Sequence, residues 1–194
     1  CLLSRGLGDV YKRQPMALRK DALLAATRIM QDVVAAAHRH PPHGRGTVGM
    51  VQVFPNSRNV IPGRIKFSID LRNSTDTLVD AMAAEVKAFA DQVAKEHGVQ
   101  VHIEMVSSYP AQLFQPECVQ AVGRAAAKLG YSHMPAVSGA GHDAVYMAKL
   151  APSGMIFIPC KDGISHNEIE DAKPEHIEAG CNVLLHAMLE RAGV

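Results

Sequence analysis

Across the first hundred residues the apolar positions switch from a helical period to alternation and back, and each switch marks an element. Leu18, Ala22, Ala25, Ile29, Val33 and Ala36 recur every three or four residues. That spacing predicts a helix over 17–40, entered at Pro15 and ended by His40-Pro41-Pro42-His43-Gly44. Thr47–Phe54 reads as a strand and Pro55–Asn59 as a turn. Over 64–72, Ile65, Phe67, Ile69 and Leu71 point one way and Arg64, Lys66, Ser68, Asp70 and Arg72 the other, a strand with one buried and one wet face. Asn73–Asp76 offers N-caps for a helix whose stripe is Leu78, Met82, Val86, Phe89 and Val93 and whose stop is Gly98. Val99, Val101, Ile103 and Met105 then alternate with Gln100, His102 and Glu104, a further half-buried strand.

The order α-β-β-α-β is a split β-α-β-β-α-β unit without its first strand. That strand belongs where residues 1–14, CLLSRGLGDVYKRQ, now stand. The stretch has no h-region or cleavage site of a signal peptide. It resembles a translated cloning scar, so native sequence is expected from about Pro15-Met16, the chain having been cut inside a domain. Tyr109-Pro110 and Gln115-Pro116 bracket a linker, 109–115, which separates a domain at 15–108 from one at 116–194.

Beyond the linker the rhythm is helix, strand, helix. A helix near 117–129 stops at Gly130, a strand follows near 134–137, and a glycine-rich turn opens a helix to about Leu150. A strand at 155–158 and a last helix from Pro174, with Ile177, Cys181, Leu184 and Met188 on one face, complete it. Such alternation is the mark of a parallel α/β sheet, but two strands are too few to make one, so this second domain is also expected to be partial.

Charge narrows the partners. The 20 Lys+Arg against 19 Asp+Glu give no support for nucleic acid or an anionic membrane surface. No apolar run has the roughly 18 residues of a spanning helix, and 4 Cys without regular spacing fit a reducing cytoplasm better than a disulfide framework.

Three stretches carry candidate chemistry. Cys160–Glu168 is a polar loop after the 155–158 strand, and ligands of α/β proteins bind at the carboxyl ends of strands, which gives His166 a suitable position. Ser138-Gly139-Ala140-Gly141-His142-Asp143 is either an anion-holding turn or simply a tight one in which His142 packs. It lacks the phosphate-loop pattern and the nucleophile elbow, and adjacent residues do not meet the geometry of a Ser-His-Asp triad. Arg72 is either a surface arginine or a guanidinium placed to grip a carboxylate through two hydrogen bonds. Cys160 has no general base near it and reads as a small packing residue.

Taken together, Asn59-Val60-Ile61-Pro62-Gly63, Phe67-Ser68-Ile69-Asp70-Leu71-Arg72, Ser138-Gly139-Ala140-Gly141-His142-Asp143-Ala144 and Gly163-Ile164-Ser165-His166-Asn167-Glu168 resemble the hydantoinase/carbamoylase family of amidases, over roughly 15–194. The resemblance implies a dimeric, two-domain hydrolase of N-carbamoyl amino acids or related ureido acids. It also implies two divalent metals, zinc or manganese, that make a bridging water nucleophilic. Residues 15–108 then resemble the ferredoxin-like lid and dimerisation domain, and 116–194 the carboxyl-terminal part of a zinc-peptidase-like catalytic domain. His166 matches a metal ligand. Asn59 and Arg72 match lid groups that hold the substrate carboxylate, and Gly141 and His142 match substrate contacts. Asp143, Asn167 and Glu168 are placed only near the site. Where the family carries a lid histidine before Pro-Met, this chain has Val10–Gln14, and the remaining ligands and catalytic glutamate are expected upstream, leaving the piece inactive alone. The competing readings are an aminoacylase or peptidase of the same clan, and a dimerisation or binding module without catalysis.

Overall fold

The structure, a computed structural model, describes residues 2–4 and 15–193. The chain divides after Ala111 into two compact units. It mixes helix and sheet, and among the described residues no helix is long and apolar enough to cross a membrane.

In the first unit the elements run β1 (Leu2–Ser4), α1 (Ala22–Arg39), β2 (Arg45–Thr47), β3 (Val51–Phe54), β4 (Arg64–Phe67), β5 (Asp70–Arg72), α2 (Asp76–His97) and β6 (Gln100–His102). The main sheet has the order β3-β4-β1-β6, with each neighbouring pair antiparallel. This corrects the expectation that the first strand is missing. Leu2–Ser4 lies between β4 and β6, Leu3 opposite both Ile65 and Val101. A three-residue strand is too short to display a period, and its ladder partners are remote in sequence, so nothing local reveals it. The remainder of the presumed scar lies outside the described residues.

The first helix begins later than the apolar spacing implies. Met16–Leu18 is a separate 3-10 turn with Leu18 72% exposed, and Asp21 caps α1 by accepting from the N–H groups of Leu23 and Leu24 at 3.0 and 3.1 Å. The two long strands also differ from expectation, each being broken once. Residues 48–50 face only 68–69 between the Thr47–Asp70 and Val51–Phe67 pairs, a bulge of one extra residue. Ser68 closes it: its Oγ accepts from the Met50 N–H at 3.0 Å, and its own N–H donates to the Met50 carbonyl at 3.1 Å. The bend turns β2 and β5 towards α1, where a Cβ on Gly46 would stand 2.3 Å from the Val33 carbonyl oxygen, so only glycine allows this approach.

Ile29, Ile65, Phe67 and Val93 fill the core between the helices and the sheet, and Val33, Ala36 and Val86 form a smaller cluster beside Val48, Ile69 and Leu71. Asp32 is buried on α1, where its Oδ1 accepts from both terminal nitrogens of Arg39 at 3.1 Å. Arg39 Nε and His40 Nε2 meet Glu85 of α2 at 3.0 and 2.8 Å, which ties the end of α1 to α2.

The second unit contains α3 (Pro116–Lys128), α4 (Ala144–Met147), a 3-10 turn (Lys161–Gly163) and α5 (Pro174–Ala192). The strands expected at 134–137 and 155–158 do not form: none of its described residues enters a ladder. A strand exists only beside a hydrogen-bonded neighbour, so the run at 155–158 stays irregular and packs through Ile156 against the α3–α5 cluster. On α5 the buried residues are Val183 and Ala187, whereas Ile177, Leu184 and Met188 are 49%, 51% and 61% exposed.

Candidate functional site

Arg72 ends the wet face of β5, and Asp70 stands two residues earlier on the same face. The pair is bidentate. Arg72 Nε donates to Asp70 Oδ1 at 2.9 Å and Nη2 to Oδ2 at 2.7 Å. The Arg72 hydrogen bonds hold the Asp70 carboxyl below the ordinary carboxylate range, and in return raise the guanidinium further. The Nε–Nη2 edge of the guanidinium is therefore held by a carboxylate of its own strand. Asn59 is exposed in the connection between β3 and β4, which is closed by the Gly63 N–H donating to the Phe54 carbonyl at 3.0 Å. Asn59 and Arg72 occupy opposite ends of the hairpin.

In the second unit, the Ser138–Asp143 turn precedes α4. The Ser138 hydroxyl and His142 Nε2 are 2.6 Å apart, and the Ala140 N–H donates to the same Ser138 oxygen at 3.2 Å. The Phe157 ring meets the imidazole edge-on, with centroids 5.5 Å apart. Gly141 is exposed, and a Cβ there would meet nothing within 4 Å. Its backbone is thus open to an approaching molecule rather than pressed against its own chain. Asp143 sits at the N-cap of α4 without a capping hydrogen bond, and so holds no side-chain place in the turn.

His166 lies in a loop pinched at its neck by the Lys161 N–H donating to the Asp171 carbonyl at 2.7 Å. Its backbone is left-handed, φ 57°, an uncommon state for a residue with a Cβ. Glu170 fixes that state by accepting from the His166 N–H at 2.8 Å, and Asn167 shapes the following turn by accepting from the Ile169 N–H at 3.2 Å. The imidazole is exposed. A zinc ion takes about four ligands, and among the described residues no three His, Cys, Asp or Glu side chains converge to hold a metal. His166 offers one donor, and the described residues do not by themselves fit a metal centre.

Three participants have only weak sequence signals. Asp70 could be found from its i, i+2 position on the face of Arg72. Ser138 is four residues from His142 in a turn, a spacing with no fixed meaning. Glu170 is visible only once His166 is known to have a left-handed backbone.

Comparison with known proteins places these residues in context. The family model for peptidase family M20/M25/M40 matches residues 14–190. An N-carbamoyl-L-amino-acid amidohydrolase of Rhizobium meliloti is 45% identical over 93% of this chain and 43% of that protein. An N-carbamoyl-L-amino acid amidohydrolase of Geobacillus stearothermophilus is 35% identical over 92% of this chain and 43% of that protein. A solved hydantoinase/carbamoylase family amidase from Burkholderia multivorans superposes with a TM-score of 0.91 at 49% identity, over 98% of this chain and 46% of that one. The chain thus spans less than half the length of the relatives it matches.

Proposed function

The chain belongs to peptidase family M20/M25/M40, and we propose that it is part of an amidohydrolase that cleaves the carbamoyl C–N bond of N-carbamoyl amino acids or related ureido acids. The observation that carries this reading is its 45% identity with the R. meliloti amidohydrolase across nearly the whole chain. The site chemistry agrees. Arg72 is read as the cation that binds the substrate carboxylate, with Asp70 orienting the guanidinium through its Nε–Nη2 edge. His142 and the open backbone at Gly141 meet the ureido end, and His166 is offered as one ligand to a divalent metal, zinc or manganese.

The first unit is read as a ferredoxin-like lid through which the protein dimerises, since β1 lies between β4 and β6 and the paired strands alternate with α1 and α2. Asn59 is read as the second lid group that holds the substrate carboxylate. A cytoplasmic setting suits the free thiols of Cys118, Cys160 and Cys181. The roles of Cys160 and Glu168 have no account in the structure.

A chimera tests the function. The segment of the R. meliloti amidohydrolase that this chain matches is replaced by this chain, and ammonia release from N-carbamoyl-L-amino acids is measured. Release that falls at least ten-fold in Arg72→Ala is expected. A folded, metal-loaded chimera that hydrolyses N-acyl amino acids or peptides instead would establish the aminoacylase or peptidase reading.

A further inference from the structure

We propose that Ser138 is a positioning residue for His142: it donates its hydroxyl proton to Nε2 and leaves the single N–H of the neutral imidazole at Nδ1, as a donor for a substrate oxygen. The inference rests on reading His142 as a substrate contact, and it adds the residue and the tautomer that make it a donor.

The hydroxyl bonding favours one direction. A serine oxygen has one hydrogen to give and two lone pairs to receive with. One lone pair of Ser138 is taken by the Ala140 N–H at 3.2 Å. Its own hydrogen then has His142 Nε2 at 2.6 Å as acceptor. At that separation the hydroxyl and the ring nitrogen are in direct hydrogen-bond contact. With the proton at Nε2 instead, the oxygen would take two N–H donors at once and its own hydrogen would be left to solvent. The edge-on Phe157 ring restricts rotation of the imidazole, so tautomer and orientation are set together. Asp143, the one acid beside His142 in sequence, heads α4 instead of orienting the ring, which argues against a Ser-His-Asp triad.

The test is long-range proton–nitrogen NMR on the 194-residue chain labelled at histidine nitrogen, with His142 assigned by loss of its signals in His142→Gln. Above the pH at which the ring titrates, wild-type His142 is expected to be mainly the Nδ1–H tautomer. Ser138→Ala is expected to invert the ratio to the Nε2–H form that solvated histidine favours. Ser138→Thr keeps the hydroxyl and should restore the wild-type ratio. An Nε2–H majority in the wild type, or a ratio unmoved by Ser138→Ala, overturns the proposal. Adding an N-carbamoyl-L-amino acid to the metal-loaded chimera, labelled in the same way, separates the two ideas. An Nδ1–H majority whose signals do not move with the ureido acid supports the Ser138 contact and counts against His142 as a substrate group.

Discussion

The two units are built from similar helices but differ in what they bury. In the first, Phe67, Ile29, Ile65, Met82, Val33 and Val93 are each less than 2% exposed. In the second, the shared core of α3 and α5 is Ala121, Ala125, Ala126, Val183 and Ala187, while Leu113, Met134 and Leu150 are more than 80% exposed. At roughly 25 cal/mol per Å² of apolar surface, an alanine core contributes far less than one of Phe, Ile and Met. The lesson is that regular helices do not make a stable domain. The first unit closes a core over its sheet, whereas the second has helices and loops but, among the described residues, no strand for them to cover.

The contrast is open to direct attack. Phe67→Ala should cost about 3–5 kcal/mol and unfold the first unit cooperatively in urea. Val183→Ala in the second unit should cost about 1.5 kcal/mol or less, at about 0.8 per buried methyl or methylene. Equal losses would show that the second core is as well packed as the first. Polar ties between helices should differ in the same way. Asp32→Ala removes a buried partner of Arg39 and should cost about 1–3 kcal/mol by denaturation. Arg124→Ala breaks a solvent-exposed pair with Glu190 and should leave the denaturation midpoint almost unchanged.

Acid sharpens the comparison further. Glu85 is held below its ordinary value first by His40 and then by Arg39, and Asp70 is held low by Arg72. A depressed carboxyl stabilises the fold above its unfolded pKa, about 4 for these groups. That stability is lost as pH falls through the lower folded value. Stability of the first unit should therefore be flat above about pH 5 and fall below about pH 4, by about 1 kcal/mol or less for each exposed pair. In Glu85→Gln the Glu85 share of that fall should disappear. The smallest effect belongs to Met188→Lys on the open side of α5, which should change the chain's stability by no more than about 0.5 kcal/mol. A larger loss would mean that this face is covered.

How much was legible in the sequence follows the same divide. In the first unit, Ile65 and Phe67 alternate with charged neighbours, and Met82, Val86 and Val93 recur at helical spacing, so local periods mark the elements correctly. What escaped was non-local: the three residues of β1, and a bulge set by one serine hydroxyl. In the second unit, the run at 155–158 has the composition of a strand and no described ladder partner. On α5 the large apolar residues Ile177, Leu184 and Met188 share one face, but the residues buried are the smaller Val183 and Ala187. For the site, Arg72, His142 and His166 stand out as residue types in motifs. The contacts of Asp70, Ser138 and Glu170 that shape their surroundings depend on backbone conformation and side-chain geometry, which composition does not encode.

We propose that the described residues of this chain carry carboxylate-binding and turn groups of the site together with one metal ligand, His166, and so only part of a working centre. The most direct test is metal content and ammonia release from N-carbamoyl-L-amino acids, measured on the purified 194-residue chain after incubation with zinc or manganese. Less than one tightly held metal per chain and no turnover is the predicted result. Stoichiometric metal with turnover, both lost in His166→Ala, would contradict it.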